Sequence, residues 1–186
     1  MRSWKRTPLG HYPIMLLPIA LLFLGLPPAF TPGDTLPVLK GEFLNGKSVE
    51  LPVAAKGKVA LLALGFTHDS QAAVEGWTKR FRKDFGSDPQ VTFYEIPMIG
   101  GMGTLAKPFI TGGMRKGTAK ADYEHVITVF GNTTFWKERL RYKAEKDAYL
   151  ILLGQEGNIR WVSHGLVDEG TYADLAAAAR RLLGKQ

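Results

Sequence analysis

The chain has 186 residues, 45% of them hydrophobic and 22% charged, with a formal net charge of +7, which suits one compact domain around one core and excludes a disordered chain. It contains no cysteine, and this rules out disulfides, thiolate metal sites, iron–sulfur clusters and thiol nucleophiles. Three of the seven excess charges (Arg2, Lys5 and Arg6) precede the first apolar stretch; the other Lys and Arg are dispersed without the aromatic interleaving that reads RNA, so no nucleic-acid partner is expected.

The N-terminal segment pairs those three charges with a nearly uninterrupted apolar run from Ile14 to Leu26. Extended from Tyr12 to Phe30, the run reaches the length of a membrane-spanning helix, about 20 residues. Pro18 would kink such a helix and Pro27–Pro28 would end it. Pro28, Ala29, Phe30 and Thr31 make a poor small-x-small cleavage site, so residues 1–30 read as an uncleaved anchor in preference to a cleaved signal or a buried helix. Positive charge before the segment predicts a cytoplasmic N-terminus, with the body on the periplasmic, non-cytoplasmic side of an inner membrane. Residues 31–186 are then the domain.

Within it, apolar residues around Asn45–Gly46 predict a β-hairpin over Thr31 to Lys56. Val59 to Phe66 is continuously apolar and reads as a central strand buried on both faces. A turn at Thr67 to Ser70 leads to a helix with Val74, Trp77, Phe81 and Phe85 on one face, Asp69 or Ser70 as its cap and Gly86 as its stop. Lys79, Arg80, Arg82 and Lys83 on this helix, and Lys137, Arg139, Arg141 and Lys143 further on, are expected to be solvated faces. Val91 to Met98 completes a βαβ unit. Six glycines between Gly100 and Ala121 predict irregular backbone with any helix broken. His125 to Phe130 suggests a further strand, followed by Phe135, Trp136, Leu140 and Tyr142 on a short helix. Tyr149 to Leu153 and Ile159 to Val162 flank Gln155 to Asn158 as a hairpin, and Asp168 to Gly184 is an amphipathic closing helix.

Hairpin, βαβ unit, insertion, antiparallel hairpin and closing helix in this order resemble the thioredoxin and peroxiredoxin superfamily over residues 33–184. Lys56-Gly-Lys-Val-Ala-Leu-Leu-Ala-Leu-Gly-Phe66, Val74-Glu-Gly-Trp77, Phe93-Tyr-Glu-Ile96 and Gly157-Asn-Ile-Arg-Trp161 are similar to the thioredoxin-fold assembly factor of the mitochondrial F1Fo ATP synthase and its bacterial relatives. The resemblance implies an α/β thioredoxin-like fold, a central mixed sheet flanked by helices, with an ATP synthase subunit as one partner. That mitochondrial family works on the matrix side, which sits awkwardly with the topology read from the N-terminal charges. The superfamily's dithiol site falls on Phe66-Thr-His-Asp-Ser-Gln-Ala-Ala73 and its cis-proline position on Ala148; neither feature is present, which argues against a disguised oxidoreductase.

Other chemistry finds little support. His68-Asp69-Ser70 has the residue types of a hydrolytic triad, but consecutive side chains on a turn point apart. Gly101-Met-Gly103-Thr-Leu-Ala106, with Asp122 further on, matches a dinucleotide pattern. Lys107-Pro108, however, stands where the helix should be running, and Asp122 precedes a strand where it should end one. Met98, Met102 and Met114 raise a Cu(I) site without the usual cysteine or paired-histidine partners. His125 and His164 lack a ligand partner at metal spacing. Asn132-Thr133-Thr134 is a glycosylation sequon only on a eukaryotic secretory route. The expectation is a non-catalytic, membrane-tethered protein without cofactor or metal, binding subunits of a membrane complex as assembly factor or accessory subunit. Thr67, His68, Asp69, Ser70, Met102, Lys107, Met114 and Arg115 are its candidate partner-binding residues. The alternative is a thiol-independent nucleotide- or copper-binding protein using the 98–117 loop.

Overall fold

The computed structural model describes residues 27–131 and 133–185, and of Met102 and Thr104 the backbone alone. Most of the leader, the sequon asparagine Asn132 and the Met102 side chain therefore lie outside the described residues. Among the described residues no helix is long and apolar enough to cross a membrane.

The predicted N-terminal hairpin is β1 (Leu39–Phe43) against β2 (Ser48–Leu51), turning through Asn45 and a positive-φ Gly46. The apolar run from Val59 is β3 (Val59–Gly65), with every residue buried. It is followed by α1 (Gln71–Phe85), β4 (Val91–Ile99), α2 (Lys107–Gly117), β5 (Ile127–Phe130) and α3 (Thr134–Arg139). The C-terminal part is β6 (Ala148–Leu153), β7 (Ile159–Gly165) and α4 (Glu169–Leu182). The strands form one mixed seven-stranded sheet in the order β2-β1-β5-β4-β3-β6-β7. β3 runs parallel to β4 and antiparallel to β6, and β4 runs parallel to β5. This is the α/β thioredoxin-like arrangement with the added hairpin on the β5 edge.

The two-residue repeat of β3 explains why it sits centrally. Val59, Leu61 and Ala63 join a core with α1 and α4, whereas Ala60, Leu62 and Leu64 join the opposite core with Leu36, Leu51, Trp136 and Tyr149. Trp77 of α1 is fully buried, and its indole N–H donates to Gly165 O at 2.9 Å. Packing on the other face reaches back to Phe30, whose ring meets Trp136 and whose N–H donates to Arg139 O.

Two local expectations change. The 100–121 stretch holds an unbroken helix, because Gly112 and Gly113 keep right-handed backbone and Pro108 stands in the first turn, where its missing N–H is harmless. Arg139 is not solvated: its guanidinium lies 4.4 Å from the Phe30 ring centroid, with only 16% of the side chain exposed. Other basic residues are paired at the surface, Lys79 with Glu75, Arg80 with Glu169 and Arg82 with Asp122.

Candidate functional site

The buried β3 ends at Gly65, and the chain must turn there from sheet to helix. Ser70 fixes the turn from inside. Its hydroxyl donates to Thr67 O at 2.8 Å, and its side chain is 1% exposed against Gly65, where an added Cβ would come within 2.6 Å of Ser70 Oγ. Ser70 stands at the N-cap position of α1, one of the two residues expected there, but its side chain makes no cap bond; the capping hydroxyl is that of Thr67, one turn earlier. Thr67 Oγ1 accepts from Ser70 N and donates to Glu145 O, capping the short 3-10 turn His68–Ser70 that feeds α1. His68 and Asp69 face solvent while Ser70 is buried, so the three form no relay, as the spacing argued.

In front of this turn, between α1 and α2, lies a cleft of about 650 Å³. Its floor is the C-terminal end of β3 and β4, including Phe66, Pro97, Met98 and Ile99; its second wall is Phe109, Ile110, Gly113, Met114 and Gly117 of α2. This is the sheet edge at which an open α/β fold presents ligand sites. α2 buries no residue, and Phe109 is 86% exposed. The helix is held from its far side instead. Lys107 Nζ meets Glu42 Oε1 at 2.6 Å, Arg115 Nε donates to Leu44 O at 2.6 Å, and Tyr123 OH donates to Arg115 O.

Of the polar side chains on the cleft wall that the sequence reading did not single out, Glu95 stands apart. Glu95 on β4 lines the cleft with a single hydrogen-bond partner among the described residues, Thr78 Oγ1 at 2.6 Å. Burial pushes its carboxyl above the usual glutamate range against the opposing effect of the Thr78 bond. The signal was a lone charged residue inside an apolar strand, Val-Thr-Phe-Tyr-Glu-Ile-Pro-Met. Glu75, also lining the cleft, is pulled the other way, chiefly by its bond to Lys79.

The candidate residues thus divide. Thr67, His68, Ser70 and Met114 meet at the cleft; Asp69 stays outside it, and Lys107 and Arg115 anchor α2 to the hairpin. The Gly101–Ala106 segment does lead from β4 into a helix, through a 3-10 turn at Gly101–Thr104, so one objection to the dinucleotide pattern disappears. The other stands: Asp122 lies in the 3-10 turn Lys120–His125 before β5 and is paired with Arg82. Met98 is 2% exposed in β4 and Met114 sits across the cleft on α2. His164 bonds Asp147 at 2.9 Å, His125 bonds Phe93 O, and no group of three His, Asp or Glu side chains placed to hold a metal occurs among the described residues.

Sheet order, crossover helices and the cleft at the β3–α1 edge define a cysteine-free member of the thioredoxin-like class. Solved structures share the fold. A SCO1/SenC family lipoprotein from Bacillus anthracis str. Ames aligns with a TM-score of 0.57 at 18% identity, covering 83% of this chain and 99% of that one. BsSco, of the Sco family of cytochrome c oxidase assembly proteins, aligns at 0.57 and 13% identity, covering 84% and 98%. A thiol:disulfide interchange protein DsbE from Chlorobium tepidum aligns at 0.54 and 15% identity, covering 81% and 99%. No curated protein matches the chain. The family model of the ATP10 protein matches residues 32–182, and the chain belongs to that family of ATP synthase assembly factors.

Proposed function

We propose that this chain is a non-catalytic assembly factor, tethered by its N-terminal segment, that holds a subunit of the ATP synthase through the β3–α1 edge and α2. The carrying observation is the substitution of chemistry by structure at the edge where related folds work. Residues 66–73 contain no thiol, and the hydroxyls of Thr67 and Ser70 are spent on holding the turn, within it and to Glu145 O. What remains there is an open apolar cleft with an exposed, glycine-rich wall, suited to contact. The apolar run 12–30 supports the tether, with its membrane portion ending before Phe30, which packs in the domain. The charges at Arg2, Lys5 and Arg6 favour a body outside the cytoplasm.

Co-purification tests this reading. The tagged full chain, recovered from detergent-solubilised membranes of its own host, is expected to retain an ATP synthase subunit and to be retained by membranes after alkaline wash. Recovery without any subunit of that complex would overturn the assembly role, and release by the wash would overturn the tether.

A further inference from the structure

The cleft combines two features that conflict when it is empty of a partner. Its walls are largely apolar, through Phe66, Val74, Met98, Phe109, Ile110 and Met114, yet the charged side chains lining it are carboxylates, Glu75 and Glu95, on a chain whose net charge is +7. Among the described residues no lysine or arginine lines it. Glu75 is already engaged by Lys79 at 2.8 Å and by Gln71 at 2.9 Å. Glu95 has only Thr78 on Oε1 among the described residues. A carboxyl in apolar surroundings costs free energy unless a cation or further donors meet it. Opposite, α2 turns apolar residues to the cleft with none fully buried, Ile110 and Met114 half-buried and Phe109 exposed.

We infer that the cleft is the docking site for an apolar segment of a partner protein carrying a basic side chain, which reaches Glu95 while the apolar residues cover Phe109, Ile110 and Met114. An anion would be repelled by the two carboxylates, and a purely apolar occupant would bring Glu95 no cation in contact, leaving it only the through-space attraction of Lys79, itself bonded to Glu75. The inference rests on the assembly-factor reading and specifies the chemistry of what such a factor holds.

The test uses the purified full chain and labelled Leu/Ala-rich peptides that differ only at a central Lys, norleucine or Glu, read by fluorescence anisotropy. The Lys peptide is expected to bind roughly tenfold tighter than the norleucine peptide, with the Glu peptide weakest. Glu95→Gln keeps the shape and a partner for Thr78, and should abolish the Lys preference. Gly113→Leu, placed where an added Cβ meets nothing within 4 Å, should fill the cleft and weaken all three peptides. Equal binding of the Lys and Glu peptides, a Lys preference surviving in Glu95→Gln, or absence of binding overturns the inference. If peptides fail while the full chain still retains ATP synthase subunits, only the cleft chemistry falls. If the Lys preference holds while no subunit is retained, the cleft chemistry stands and the assembly reading falls.

Discussion

The two helices that wall the cleft are held by opposite means. α1 buries Ala73, Val74, Trp77, Thr78, Phe81 and Phe85 against the sheet. α2 has no fully buried residue, only half-buried ones such as Ile110 and Met114, and hangs on Glu42 and Leu44 O through Lys107 and Arg115. The first is stabilised by area removed from water and cannot shift without opening the core. The second is fixed by surface polar contacts of modest individual worth, so its apolar face can adjust to what lies in the cleft. A rigid wall facing an adaptable one is a useful arrangement for gripping a partner whose shape the protein does not fully predetermine.

Trp77→Ala attacks the rigid wall where it is strongest. The ring is fully buried and packs on Trp161 and Tyr172, and its N–H bond to Gly165 O ties α1 to the end of β7. Truncation should cost roughly 3–5 kcal/mol, measured by urea unfolding. A loss near 1 kcal/mol would show that α1 is no better anchored than α2, and the contrast would fail.

Gly65→Ala should cost roughly 1–3 kcal/mol, because the added methyl meets Ser70 Oγ at 2.6 Å and must displace its bond to Thr67 O. Pairing it with Ser70→Ala removes the colliding oxygen, so the double variant should be more stable than the sum of the single losses. Additivity in the unfolding data would mean that the turn tolerates the methyl by some other movement. At the same turn Thr67→Ala should cost about 1 kcal/mol through the lost cap, with the α1 amides of Gln71 and Ala72 gaining faster hydrogen exchange. Unchanged exchange there would assign capping elsewhere.

Much of the rigid half was legible because its determinants are periodic. Six consecutive apolar residues in β3, Val59 to Leu64, and the three-and-four spacing from Val74 to Phe85 leave little choice of element. The N-cap position of α1 was legible as Asp69 or Ser70 and falls on Ser70, but the extra 3-10 turn capped by Thr67 was not, because only the inward turn of Ser70 frees the capping role for Thr67. The adaptable half was opaque for a physical reason. α2 has no buried stripe to impose a period, its glycines argue against helix, and the bonds that stabilise it come from Glu42 and Leu44, far away in sequence. Glu95 belongs to both halves: its strand was legible, but its isolation in the cleft depends on which face α2 leaves uncovered.

Gly112→Ala sharpens the comparison from the adaptable side, with the smallest expected effect and the opposite sign. The residue lies in the middle of α2 with right-handed backbone, and an added Cβ meets nothing within 4 Å. Alanine loses less backbone freedom on forming a helix, so the variant should gain about 0.5–1 kcal/mol of local helix stability. The gain should be visible as slower hydrogen exchange across 107–117 with global unfolding nearly unchanged, because α2 contributes little buried area. If α2 were packed as tightly as α1, the same methyl would find no room and the variant would lose stability instead. Slower exchange accompanied by weaker partner retention would go further: it would mean that the freedom of α2, and not only its apolar face, is what the partner uses.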